Sequence, residues 1–236
     1  MQKYRHEYKY LISEKERDIL KTRLSEILEP DIHAKGGSYF IRSLYFDDFR
    51  RSAYGEKMDG TVLRKKYRIR VYNLSKDVIS LECKRKRGNY IYKLQQRISL
   101  GELDSILNGD YAFLLKREEP LLREFYAGCI SDRLRPEVIV DYERTPFVWE
   151  AGTVRITFDE HVRSGFMGWD LFDGDMPAYE VLEPGQLILE VKYTEFLPEI
   201  LRRILPMEGA ELMAASKYVL CCDQRDRIRG IPPFAI

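Results

Sequence analysis

Strand after strand in this sequence alternates a charged residue with an apolar one. A period of two commits each such segment to a β-strand with one buried face and one face that meets water or a ligand. In RKKYRIRVYN, Arg64, Lys66, Arg68 and Arg70 fall on one side and Tyr67, Ile69 and Val71 on the other. In ISLECKRK, Glu82, Lys84 and Lys86 oppose Leu81 and Cys83; in IYKLQQRISL, Lys93, Gln95 and Arg97 oppose Tyr92, Leu94, Gln96 and Ile98. The pattern recurs later. Arg144 opposes Ile139, Arg155, Thr157, Asp159 and Arg163 oppose Val154, Ile156 and Phe158, and Glu190 and Lys192 oppose Leu189, Val191 and Tyr193. Near the start, Arg5, Glu7 and Lys9 share one parity.

Two architectures satisfy this alternation. One is a half-exposed sheet with helices on its apolar face; the other is a closed barrel with helices outside and charged faces lining a channel. The sign of the charge separates them. Residues 61–97 hold twelve Lys or Arg against only Asp77 and Glu82, although the whole chain is +1. A solvated face mixes signs, whereas a face this cationic repels itself unless an anion occupies it. The expected ligand is therefore phosphate. Neither GxxxxGK[ST] nor GxGxxG occurs, so Arg forks and Lys ammonium groups must hold it instead of a Gly-rich loop.

The helical pattern is separate. SEKERDILKTRLSEIL opens with a capping box, Ser13 with Glu16, and carries Ile19, Leu20, Leu24, Ile27 and Leu28 at helical spacing. Further helices are predicted in FRRSAYGEKM, between Glu102 and Ile130, after Pro198, and in ELMAASKYVLCC. With no linker, repeat or composition break, residues 1–236 read as a single α+β domain of about eight strands and four or five helices. No apolar run is long enough to span a bilayer and the N-terminus lacks a signal-peptide core, which predicts a cytoplasmic protein. Four cysteines without a CxxC pair read as buried thiols, and three scattered histidines exclude a His/Cys zinc site and a Ser-His-Asp or Cys-His nucleophile. An RNA-binding module with Tyr67, Tyr72, Tyr90 and Tyr92 interleaved among cations is disfavoured, because the parity puts Tyr67 and Tyr92 on the apolar face.

In order along the chain, EYK, RIRVY, ECKRK…YKLQQR, YERTPF, VRITFD, LEVKY and SKY resemble the triphosphate tunnel metalloenzymes. The resemblance is closest to the VTC-type polyphosphate polymerase domains and covers essentially the whole chain. It implies an eight-stranded antiparallel β-barrel enclosing a triphosphate tunnel, with helices packed outside. Carried over residue by residue, it implies phosphate contacts from Lys9, Arg68, Arg70, Lys84, Lys93, Arg144, Arg155, Lys192 and Lys217, to which the strand parity adds Arg97. Glu190 is the implied ligand for Mn²⁺ or Mg²⁺, with Glu7 as a second carboxylate. Arg68, Arg70, Lys84, Arg155 and Glu190 are the expected catalytic set. The hydrolytic members begin ExExK, but Arg5 replaces the first glutamate here, ahead of Glu7 and Lys9. That departure favours transfer from ATP to a growing inorganic polyphosphate chain over a triphosphatase or a cyclase. Hydrolysis of tripolyphosphate or nucleoside triphosphates, and a non-catalytic polyphosphate-binding domain, remain the alternatives. The expected partners are ATP and polyphosphate or tripolyphosphate, without nucleic acid or a membrane span.

Overall fold

The computed structural model describes residues 6–31, 34, 36–88, 90–205 and 216–231. Strand β1 (His6–Ser13) runs directly into helix α1 (Glu14–Ser25), and the predicted capping box forms: the Ser13 side chain accepts from the Glu16 N–H while Glu16 accepts from the Ser13 N–H. A short β2 (Glu29–Pro30) precedes β3 (Tyr39–Asp47) and helix α2 (Ser52–Met58). The basic region folds as a meander of β4 (Leu63–Tyr72), β5 (Ile79–Arg87) and β6 (Tyr90–Ile98). Helices α3 (Leu100–Leu107) and α4 (Pro120–Ala127) follow, then β7 (Arg135–Trp149), β8 (Val154–Gly165), a short β9 (Ala178–Glu180) and β10 (Gln186–Tyr193). Helices α5 (Glu199–Ile204) and α6 (Lys217–Ile228) come last. The predicted start of the last helix, at residues 211–215, lies outside the described residues, as do Arg5 and His33.

Among the described residues every strand pairing is antiparallel, and eight strands form one path in the order β1-β10-β8-β7-β3-β4-β5-β6, with β2 and β9 attached beside it. The tunnel sheet curls until β1 and β5 touch through side chains, yet its end strands β1 and β6 are not hydrogen-bonded to each other. It is an eight-stranded curl with an open seam. One register break shapes the face: Asp141 pairs with Arg163 but Glu143 pairs with Glu160, so β8 bulges by one residue, with His161 at φ +50°. Residues beyond the bulge change face. Arg163, expected beside Arg155, therefore lies on the convex side.

The odd positions of β4 and β5 bury as predicted: Tyr67, Ile69, Val71, Leu81 and Cys83 pack on the convex face with Leu103, Leu122 and Phe125 of α3 and α4. Helices α1 and α5 cover β1, β8 and β10 through Leu20, Leu24 and Leu201, while Ile19, expected in that stripe, is exposed. Each fully buried Leu or Phe contributes about 1.5–3 kcal/mol of transfer free energy. Helix α6 departs from the expectation that helices stay outside. Its Tyr218, Cys221 and Cys222 pack among Val138, Val140, Val162 and Ile188, whose parity is that of Arg144 and Glu190, so it fills part of the concave face. The four cysteines are buried free thiols. Among the described residues, no helix is long and apolar enough to cross a membrane.

Candidate active site

The concave face brings the cations together around four buried carboxylates. Glu82 on β5 accepts a hydrogen bond from Nε of its cross-strand partner Arg68 at 2.7 Å, with a second guanidinium nitrogen in ion-pair contact at 2.6 Å, and one from Lys93 at 2.9 Å. Arg68 also donates to the Tyr45 hydroxyl at 2.8 Å. Arg70, only 5% exposed, donates to Ser43 at 3.0 Å and to the Tyr142 hydroxyl at 2.9 Å. Asp159 receives a bidentate fork from Arg144 at 2.6 and 2.7 Å and an ion pair from Lys217.

Glu190 is the hub. Lys217 reaches one of its oxygens at 2.7 Å, Lys9 approaches at 3.7 Å, Arg144 at 3.5 Å, and Lys192 donates to it from the same strand. Glu7 receives Lys84 at 2.8 and 3.0 Å and Lys9 at 3.5 Å, so Lys9 lies between Glu7 and Glu190. At another part of the face, Arg155 pairs with Asp31 at 2.7 Å and donates to the Tyr39 hydroxyl at 3.0 Å.

Burial by itself raises a carboxyl pKa, so the direction of each shift measures the field of the neighbours. Against burial, Lys192, Lys217, Lys9 and Arg144 hold Glu190 well below the usual carboxylate range. Lys84, Lys9 and Lys192 do the same for Glu7, and Arg68, Arg70 and Lys93 for Glu82. Arg144 and Lys217 lower Asp159. The lysines report the other side of the balance. Burial brings Lys84 down to about 8 despite its bond to Glu7, helped by the like charges of Lys9 and Lys192. Burial also lowers Lys192, beyond what Glu190 restores. Lys9 and Lys217, by contrast, are raised, despite burial, by Glu190 together with Glu7 and Asp159 respectively.

Of the residues singled out by sequence, Lys9, Arg68, Arg70, Lys84, Lys93, Arg144, Lys192, Lys217, Glu7 and Glu190 converge on this cluster, and Arg155 faces the same way near Asp31. Arg97 does not join it. It shares the face but sits exposed, donating to the Asp77 carbonyl at 3.4 Å. Sequence reasoning missed Asp159 as the partner of Arg144, Glu82 as the orienter of Arg68, and the tyrosines Tyr45 and Tyr142. Asp159 and Glu82 had the right parity as a signal, whereas the tyrosine contacts follow from the curl. Of the described histidines, His6 is exposed and stacks on Tyr193 at 4.9 Å, and His161 is exposed on the bulge, both outside the cluster. Tyr67 is buried and donates to Glu124, so it offers no face to a base.

Among the described residues, no group of three or more His, Cys, Asp or Glu is arranged to hold a metal ion. Glu7 and Glu190 still offer hard oxygen donors on either side of Lys9. Two carboxylates suit a divalent ion that takes its other ligands from substrate phosphates and water.

Residues 4–224 match the family model described as VTC domain. No curated protein matches the sequence significantly. Among solved structures, the chain is similar to a Hippeastrum candidate adenylyl cyclase described as having a dominant triphosphatase activity, at 15% identity and a TM-score of 0.57, over 94% of this chain and 96% of that one. A candidate adenylate cyclase from Bacillus halodurans aligns at 13% identity and a TM-score of 0.49, over 98% and 94%. The PH1819 protein of Pyrococcus horikoshii aligns at 16% and 0.48, over 94% and 100%.

Proposed function

We propose, for a chain that belongs to the VTC domain family, that the concave face binds the triphosphate of ATP and transfers its terminal phosphoryl group to an inorganic polyphosphate chain. The observation that carries this reading is the surplus of cations in the geometry: Lys9, Arg68, Arg70, Lys84, Lys93, Arg144, Lys192 and Lys217 converge on four carboxylates, and Arg70 is bonded to the hydroxyls of Ser43 and Tyr142 and to none of them. Such a face gains most from a multiply charged anion that fits among its cations.

Phosphoryl transfer needs charge neutralisation and in-line positioning more than covalent help. Arg68 and Arg70, fixed by Glu82, Tyr45, Ser43 and Tyr142, are already oriented, so little rotamer entropy is lost when they clamp phosphate oxygens. Lys9, Lys84, Lys93 and Lys192 supply adjustable point charges around them. Lys217 and Arg144 hold Glu190 and Asp159 ionised. The acceptor is a phosphate oxygen that is ionised at neutral pH, so the step requires no general base, in keeping with the exposed positions of His6 and His161. Glu190 and Glu7 would hold Mn²⁺ or Mg²⁺ together with substrate oxygens, and such an ion supplies charge to offset what develops on the transferred group.

Hydrolysis on the same scaffold is the second reading. It is favoured by the triphosphatase activity named for the Hippeastrum protein and disfavoured by Arg5, which stands where hydrolytic relatives carry the first glutamate of ExExK. Incubation with ATP and Mn²⁺, resolved on a polyphosphate-stained gel beside a phosphate-release assay, separates the two. A ladder of chains supports transfer. Orthophosphate without chains replaces it by hydrolysis, and tight tripolyphosphate binding with neither product makes the domain a binder.

A further inference from the structure

Lys66 differs from the lysines around it. Lys9, Lys84, Lys93, Lys192 and Lys217 each reach a carboxylate within ion-pairing distance. Among the described residues, Lys66 reaches none: its ammonium donates to the Ser216 hydroxyl at 3.2 Å and sits 4.7 Å from the centre of the Tyr218 ring. Its parity is that of Arg68 and Arg70, and it stands directly across the ladder from Lys84.

The groups that face it are mostly cationic. Lys84 on β5, Lys9 on β1 and Lys57 on α2 act on it as like charges, and Arg64 and Arg68 flank it on its own strand. Helix α6 contributes two titratable groups, Tyr218 and Cys222, both kept neutral near pH 7 because burial pushes their pKa values up. The same helix begins beside Lys66, with Ser216 as its N-cap, so the positive end of the peptide dipoles adds to the field. Burial first, then Lys9 and Lys84, bring Lys66 down to about 7. Lys66 is half-buried, and an ammonium withdrawn from water without a counter-ion is destabilised unless it loses its proton or gains an anion.

We propose that Lys66 is a further phosphate-binding residue of this face, which accepts a proton from solvent as a triphosphate chain arrives. The proposal rests on the reading of the concave face as a triphosphate site and adds a linkage to it: anion binding and protonation of Lys66 are one event. The lone pair on Nζ takes the proton, and the resulting ammonium donates to a phosphate oxygen. The Ser216 hydroxyl and the face of Tyr218 hold the side chain in place in both states. Above pH 7 the affinity then falls with pH, by up to about tenfold per unit from this one group, because the neutral form must be charged before it can bind.

Calorimetric titration of the full chain with tripolyphosphate, without divalent metal, tests this at pH 7, 8 and 9 in two buffers of unequal ionisation enthalpy. The wild type is expected to take up a substantial fraction of a proton at pH 8. Lys66→Arg, always charged, should bind at least as tightly at pH 9, with a clearly smaller uptake and a flatter pH profile. Lys66→Met should bind roughly tenfold more weakly at pH 7 and show the same flattening. Wild-type binding without proton uptake at pH 8 overturns the proposal without recourse to any variant. So does an uptake that Lys66→Arg leaves unchanged, which would place the linkage on another group. Complete absence of tripolyphosphate binding is a distinct failure: it removes the triphosphate site itself, and this role of Lys66 with it.

Discussion

The Glu7 carboxylate on β1 and the Lys84 ammonium on β5 meet at 2.8 Å across the seam that the hydrogen-bonded ladder leaves open between β1 and β6. Glu7 is nearly buried there, its side chain 6% exposed. A side-chain pair thus does part of the work that backbone hydrogen bonds do in a fully closed barrel. The Lys84 side chain is 35% exposed, so breaking the pair from one side costs about 1–3 kcal/mol, and removing both is milder. Glu7→Gln and Lys84→Met should each lower the urea midpoint, and the double variant should lose less than the sum. Strict additivity would mean that the pair does not hold the seam.

Glu190→Gln should unfold more easily than wild type and recover with ligand. The substitution keeps volume but leaves Lys217, Lys192, Lys9 and Arg144 without their shared counter-charge. Glu190 is 4% exposed, and the expected loss is about 3–5 kcal/mol. Tripolyphosphate should raise the melting temperature of this variant more than that of wild type, because the anion supplies the missing negative charge. Polymer formation from ATP should fail even where binding persists. A variant with wild-type melting behaviour and turnover would remove Glu190 from the centre of the site.

Arginines of opposite parity should behave differently. Arg68→Ala and Arg70→Ala each remove a charge-assisted contact and should weaken tripolyphosphate binding by about 1.5–3 kcal/mol, roughly ten- to a hundredfold. Arg85 lies on the convex side, bonded to Glu124 and to the Tyr92 hydroxyl, so Arg85→Ala should change affinity by less than about twofold. Arg97→Ala should also be mild, because Arg97 is exposed and bonded to a turn carbonyl. Equal losses at all four positions, measured by calorimetry, would contradict the division of faces.

Acid should unfold the protein early. Glu7, Glu82, Glu190 and Asp159 all titrate below their ordinary values of 4.5 and 3.8 when folded. Between those ordinary values and the lowered ones, the unfolded chain binds more protons, so stability rises with pH across that window. It is fully present above about pH 5 and drains away on acidification. Melting temperatures taken in steps from pH 6 to pH 3 should fall steeply below pH 4.5, and the Glu82→Gln variant should show a shallower decline. A flat profile would mean that these carboxylates are not held ionised by their neighbours.

The meander was legible because nothing interrupts its period: from Leu63 to Ile98, every even-to-odd assignment on β4 and β5 survives in the fold. The same rule failed at Arg163, because a one-residue bulge at His161 reverses the parity and a bulge leaves no mark in a short alternating segment. Helix α6 was legible as a helix but not as an occupant of the concave face. Lys217 reads in isolation as a surface lysine, and only tertiary placement puts it against Glu190 and Asp159. The carboxylates were visible, but their partners depend on strand order. Arg144 meets Asp159 because β7 pairs with β8, a neighbour relation that no local pattern encodes.

Strand order also sets a timetable. The β4–β5–β6 meander joins residues close in sequence and can form early, whereas β1 must wait for β10, near the other end of the described chain, before Lys9 can face Glu190. Lys217 arrives later still. During synthesis from the N-terminus, the cationic meander therefore exists for a time without Glu190 and without α6, as a positively charged intermediate exposed to whatever polyanion is near. Ribosomal RNA is the polyanion closest to a nascent chain. The burden falls on Glu82, which lies inside the meander itself and reaches both Arg68 and Lys93. Asp159 and Glu190 are made later and Glu7 sits on β1, which waits for β10, so Glu82 is placed to quiet those charges before the rest of the protein has been made. In that light, Glu82→Gln should lower the soluble yield on expression more than it lowers the stability of the finished protein, and comparing the two losses decides the point.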